Sequence, residues 1–282
     1  MRSIVISLAV AATAATASAQ LAGVNGLNVV YGNGFHGFPS ATRVLTNNGL
    51  AGVRLQETIA STAPGGGDFA NRHFAFLSAD GGASTYMYDG TSSFSITYRH
   101  RMANSTNPVL PNGSNTTEGG LWFLQGGAAN PFADGGVFTV SNRTMFVAGM
   151  GAGFSILAEG NGSNPGFPPL TAGGWYTVRF DYWAPGALGA GSIASYQASV
   201  LDEASGNFRI SQLTGWDQGS SWPTGLQAGT AIGFRFQNVP VLGVENNFDG
   251  EYADIVIGAV IPAPASAAML AVGGLVALRR RR

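Results

Sequence analysis

The chain has no cysteine and no lysine: all fourteen of its basic residues are arginines, and charged residues make up only 10% of its 282 positions. Without cysteine it has no disulfide staple and no thiolate nucleophile or thiolate metal ligand. Without lysine it has no side-chain amine for Schiff-base chemistry. Its three histidines, His36, His73 and His100, are scattered. Neither a His-x-His pair nor a Gly-x-Ser-x-Gly elbow accompanies them, so zinc-site and Ser-His-Asp chemistry find no support. Internal repeats long enough for a propeller or solenoid are absent as well, the twice-used Ala-Asp-Gly-Gly (residues 79–82 and 133–136) reading as a turn.

What is present is clearest at the two ends. Residues 1–19 have the pattern of a secretory signal peptide: Arg2 in a short basic head, an apolar stretch over 4–12, and Ala17-Ser18-Ala19 as a small-residue cleavage site, so the mature chain is expected to start at Gln20. At the other end Pro262-Ala263-Pro264 blocks continuation of the preceding segment, an uncharged run follows over 265–278, and Arg279, Arg280, Arg281 and Arg282 close the chain. As a helix that run covers roughly 20 Å, short of the ~30 Å hydrocarbon core, and the clustered arginines beside it favour a cytoplasmic tip.

These last residues resemble the PEP-CTERM sorting signal of exosortase substrates, in which a Pro-Glu-Pro-like motif precedes a short apolar helix and a basic terminus. Ala263 stands here where that family has glutamate. The resemblance implies the export machinery and an exosortase-type processing enzyme as partners. It also implies transient anchoring in the inner membrane by the C-terminal helix, then cleavage near the motif and a final place at the cell surface or outside the cell. Without the two signals the body, 20–260, holds nine arginines against fifteen acids, a net charge of −6. An acidic body argues against nucleic acid, whose binders cluster positive charge.

The whole chain has 42 glycines and 13 prolines, and within the body the segments between them alternate apolar and polar residues. Phe94, Ile96 and Tyr98 alternate with Ser95, Thr97 and Arg99. Tyr176, Val178, Phe180 and Tyr182 alternate with Thr177, Arg179 and Asp181, and Ile232, Phe234 and Phe236 with Gly233, Arg235 and Gln237. Each reads as a strand with one buried face. Further strands are expected over 27–31, 53–58, 73–78, 121–125, 137–140, 144–148, 154–158, 195–201, 207–211 and 252–258, with a hairpin around Gly206 and long loops over 103–120 and 160–174. No helix is expected inside the body, so the fold class is all-β, a two-sheet sandwich.

The order Trp175-Tyr176-Thr177-Val178-Arg179-Phe180-Asp181, then 196–202 and the Gly206 turn, then Phe248-Asp249-Gly250-Glu251-Tyr252-Ala253-Asp254 looks like the back half of a concanavalin A-like lectin/glucanase jelly roll. The resemblance implies a jelly-roll sandwich that often binds glycans, sometimes through calcium. Glucanases of that superfamily carry a Glu-x-Asp-x-Glu type cluster, which this chain lacks. Its nearest equivalent is Asp249 and Glu251 with Asp254, read as a solvated strand end. Calcium is considered at Asp68, Asp80 or Asp249, although no spaced Asp-x-Asp-x-Asp loop occurs. The candidate glycan contacts are Trp216, Asp217 and Trp222, two indoles beside a carboxylate. The functional expectation is a non-catalytic surface or matrix protein that binds polysaccharide, with a secreted glycan-active hydrolase and a passive structural coat as alternatives.

Overall fold

The computed structural model describes residues 21–32, 40–60, 71–104, 117–124, 139–141, 145–146, 174–206, 208–210, 213–215, 224–238 and 243–260. Among them are the strands β1 (Gly26–Gly32), β2 (Ser40–Asn47), β3 (Gly52–Ile59), β4 (Asn71–Ser78), β5 (Phe94–Asn104), β6 (Thr117–Leu124) and β7 (Thr139–Ser141). They continue with β8 (Met145–Phe146), β9 (Tyr176–Trp183), β10 (Ser195–Asp202), β11 (Phe208–Ile210), β12 (Thr214–Gly215), β13 (Ala231–Asn238) and β14 (Asn246–Gly258). A single 3₁₀ turn, Gly49–Ala51, is the one helical element among the described residues. The expected strand at 154–158, both terminal signals, and most of the two long loops lie outside the described residues.

The strands form two antiparallel sheets. One has six strands in the order β1-β4-β13-β6-β7-β8; the other runs β11-β10-β9-β5-β14-β3-β2, with β12 also beside β10. They pack face to face as the all-β jelly-roll sandwich expected from the alternation. Ala75, Leu77, Leu121, Phe123, Ile232, Phe234 and Phe236 of the six-stranded sheet share one core with Val53, Leu55, Phe94, Ile96, Tyr98, Val178, Phe180 and Tyr252 of the other. Rings meet across the gap, Tyr98 against Phe234 at 5.0 Å and Phe123 against Phe180 at 5.6 Å. Full burial of each such side chain contributes about 1.5–3 kcal/mol.

Two local features set the frame of this core. In β14 the even-numbered residues Phe248 and Tyr252 point inward, yet beyond Asp254 the odd-numbered Ile255 and Ile257 do so, while Val256 is 61% exposed. Asp254 adopts a φ of 52° where the register with β5 slips, so a bulge exchanges the faces of the strand. At one end of the sandwich the carboxylate of Glu57, on β3, accepts hydrogen bonds from Asn71 Nδ2 (3.0 Å) and His73 Nε2 (3.1 Å) on β4 and from Asn238 Nδ2 (3.3 Å) on β13. All four side chains are buried, so this network ties one sheet to the other.

The hairpin expected around Gly206 is present: Leu201 pairs with Phe208, Gly206 has a φ of 72°, and the Asp202 side chain bonds the backbone of Ala204 and Ser205. Ala79 to Gly82 forms the expected turn, with Gly81 and Gly82 at positive φ. The reading of β13 needs correction. Gly233, Arg235 and Gln237 were expected to face water, but all eight residues of the strand are buried. β2 was not expected from the alternation at all.

Candidate functional site

Because side chains alternate across a strand, each sheet has an outer face as well as a core face. On the six-stranded sheet the outer face is carried by the central strands β4, β13 and β6. The register sets Gly233 between Phe76 and Trp122, Arg235 between Phe74 and Gly120, and Gln237 between Arg72 and Glu118. Gly120 offers no side chain beside Arg235, and the guanidinium lies over the Trp122 ring two residues along β6, 3.7 Å from its centroid. The Phe74 and Phe76 rings stack at 5.4 Å with 7° between their planes. Arg72 Nε donates to Gln237 Oε1 at 2.7 Å.

The whole group is secluded: Phe74 and Phe76 are fully buried, Trp122 is 8% exposed, Arg235 5% and Gln237 7%. The indole Nε1 of Trp122 is itself buried and finds no hydrogen-bond acceptor among the described residues. Aromatic faces, two guanidiniums, an amide and an unsatisfied N–H donor thus converge on one surface. Chemically, the unmet demand of this group is the indole N–H of Trp122, which can donate to an oxygen acceptor, while the rings beside it are buried.

The outer face of the eight-stranded sheet is built differently. Arg54 Nε and Nη2 donate to the two oxygens of Asp249 at 2.8 and 2.7 Å. Arg101 Nε and Nη2 donate to Glu251 Oε2 at 2.9 and 2.7 Å, and Arg99 binds Glu203 through both oxygens at 2.8 and 2.7 Å. The guanidiniums of Arg99 and Arg101 sit over Trp175 at 4.4 and 5.2 Å. These groups remain partly exposed and neutralise one another across neighbouring strands.

Several residues singled out in the sequence find their places here. Asp249 and Glu251 share a face as expected, but each is clamped by an arginine, an arrangement of ion pairs rather than of a nucleophile and an acid. Asp254 is turned by the bulge and accepts from Arg99 Nη1 at 3.3 Å. Asp80 accepts from Ser78 Oγ (2.6 Å), Ser84 N (2.8 Å) and Ser84 Oγ, and those bonds hold its carboxyl well below the usual range. It therefore serves its own turn, and no group of three His, Cys, Asp or Glu residues suited to a metal occurs among the described residues. His73 belongs to the Glu57 network. His100 is fully buried, its ring stacked on Tyr252 at 4.3 Å with neither nitrogen bonded among the described residues, and burial pulls its pKa down to about 3. Trp216, Asp217, Trp222, Asp68 and His36 lie outside the described residues. Trp122, Arg235, Arg72 and Gln237 were missed as a site. The signal that could have found them is a second apolar pattern, Phe74 with Phe76 and Trp122 with Leu124, at the positions between those assigned to the core.

No protein-family model matches the chain. Nor does any curated protein. Among solved structures it is similar to lectin II from Ulex europaeus, with 10% identity and a TM-score of 0.42 over 83% of this chain and 93% of that one. It is also similar to the alginate lyase from Corynebacterium sp., with 10% identity and a TM-score of 0.44 over 84% and 95%. A third is arcelin-5, a lectin-like defense protein from Phaseolus vulgaris, with 8% identity and a TM-score of 0.43 over 84% and 93%.

Proposed function

We propose that this chain is an exported, surface-sorted, non-catalytic protein of the cell envelope or extracellular matrix that binds polysaccharide on the outer face of its six-stranded sheet. The observation that carries the binding role is the Trp122–Arg235 stack among Phe74 and Phe76, with the buried indole N–H lacking an acceptor among the described residues. Export and sorting rest on the pattern of residues 1–19 and on Pro262-Ala263-Pro264 with the terminal arginines. The non-catalytic reading rests on the clamping of Asp249 and Glu251 by Arg54 and Arg101.

The test is affinity electrophoresis of the full chain through gels holding neutral glucans or uronate polymers, with Arg235→Gln and Trp122→Phe beside the opposite-face control Arg179→Gln. Retardation should weaken at least about tenfold in the first two variants and persist in the control. Equal retardation of all three, or none in the parent, would remove the proposed site, and shortening of the polymer during the run would replace binding with catalysis. Mass measurement of the exported protein's C-terminus checks the sorting half: a product that keeps Arg279 to Arg282 speaks against processing.

A further inference from the structure

A cavity of about 250 Å³ opens on the other side of the molecule, where Thr46 at the end of β2, Asn48 before the 3₁₀ turn, Gly52 and Arg54 of β3, and Glu251 of β14 converge. That volume lies just under the roughly 300–1,000 Å³ of sites that hold drug-sized molecules, a size suited to something smaller. Its charged groups are held by neighbours and by each other, Arg54 Nε lying 3.9 Å from Glu251 Oε2. The Arg54 guanidinium is fixed by its two bonds to Asp249, and Glu251 by Arg101, which occupies only its Oε2. Arg54 Nη1 and Glu251 Oε1 have no partner among the described residues, and each therefore offers hydrogen-bonding capacity at a fixed position.

The turn beside them is built in a way that spares a further side chain. Asn47 performs the local bonding, its Nδ2 donating to Leu27 O at 2.9 Å and its Oδ1 accepting from Gly49 N at 3.0 Å. Asn48 stands at the capping position of the 3₁₀ turn yet makes no side-chain cap bond, which leaves an amide with donors and an acceptor on the cavity wall. Thr46 adds a hydroxyl.

The charges decide the class of ligand. Arg54 and Glu251 each already have an opposite charge bound, so the cavity carries no net demand for an anion or a cation. A guanidinium donor, a carboxylate acceptor, an amide and a hydroxyl around a small space match adjacent hydroxyl groups, which both donate and accept. We infer that this cavity binds a single neutral sugar unit, such as the end of a glycan chain, as a site separate from the Trp122 face. The inference does not depend on the polysaccharide reading above.

The experiment is saturation-transfer NMR with titration of the full chain against the methyl glycosides of glucose, galactose and mannose, with glucuronate, inorganic phosphate and calcium chloride as charged comparisons. At least one neutral glycoside should bind, about tenfold more weakly to Asn48→Ala and to Thr46→Val, and equally well to Arg179→Gln, whose side chain pairs with Asp181 elsewhere on the same sheet. Both substituted positions are exposed and Asn48 caps nothing, so unchanged thermal melting is expected to accompany the loss. The inference is overturned by tighter binding of glucuronate, phosphate or calcium, by absence of any glycoside signal, or by binding that Asn48→Ala and Thr46→Val leave intact. Loss in Arg179→Gln alone would place the sugar elsewhere on the sheet and also overturn it.

Discussion

The two outer faces of the sandwich arise from the same alternation of side chains and come to opposite ends. On the eight-stranded sheet the outward positions of β3, β14, β5 and β9 are filled by Arg54, Asp249, Glu251, Arg101, Arg179 and Asp181, paired with one another at a partly exposed surface. On the six-stranded sheet they are filled by Phe74, Phe76, Trp122, Arg235 and Gln237, and they are buried. The first face satisfies itself and can remain in water. The second combines apolar rings with a guanidinium and an amide away from water, and its energetic weight in the fold should be correspondingly larger.

Substitution at each level measures that difference. Trp122→Ala should have the largest effect, lowering unfolding free energy by about 3–5 kcal/mol as a buried ring is removed, read as a fall in the denaturant midpoint. An effect below about 1 kcal/mol would make the two faces equivalent and sink the comparison.

Between the faces lies His100. It stays neutral in the folded protein down to about pH 3, whereas the unfolded chain takes up the proton near 6.5. Stability is therefore complete above pH 6.5 and falls as the pH drops from there toward 3, by roughly 3 kcal/mol at pH 4. His100→Phe should flatten that part of the pH–stability curve, measured by thermal melts between pH 4 and 7. Arg54→Ala should do least, changing stability by less than about 1 kcal/mol and with an effect that shrinks in high salt, since the Arg54–Asp249 pair is partly exposed.

The parts of this architecture that were legible in sequence are those where one face is apolar and the other polar. Phe94 to Arg99, Tyr176 to Tyr182 and the Asp202–Gly206 turn needed only that contrast and ordinary turn chemistry. Where both faces are buried the contrast vanishes, and this is why the outward positions of β13 were assigned to solvent and the Trp122–Arg235 pairing was not seen. No local rule links residue 122 to residue 235; the register between β6 and β13 does so. β2 escaped notice for the opposite reason. It lies at the edge of its sheet with Val44 57% exposed, so its apolar residues do not fall on one side. Asp249 and Glu251 were placed on a common face correctly, but their arginine clamps come from β3 and β5, far away in the chain.

The carboxylate of Glu57 also bears on how the molecule can move. Parting the layers at that end would break three hydrogen bonds to one buried carboxylate together with the packing around them. Breathing motions must then begin elsewhere along the sandwich, and amide protons near Asn71, His73 and Asn238 belong with the slowest to exchange.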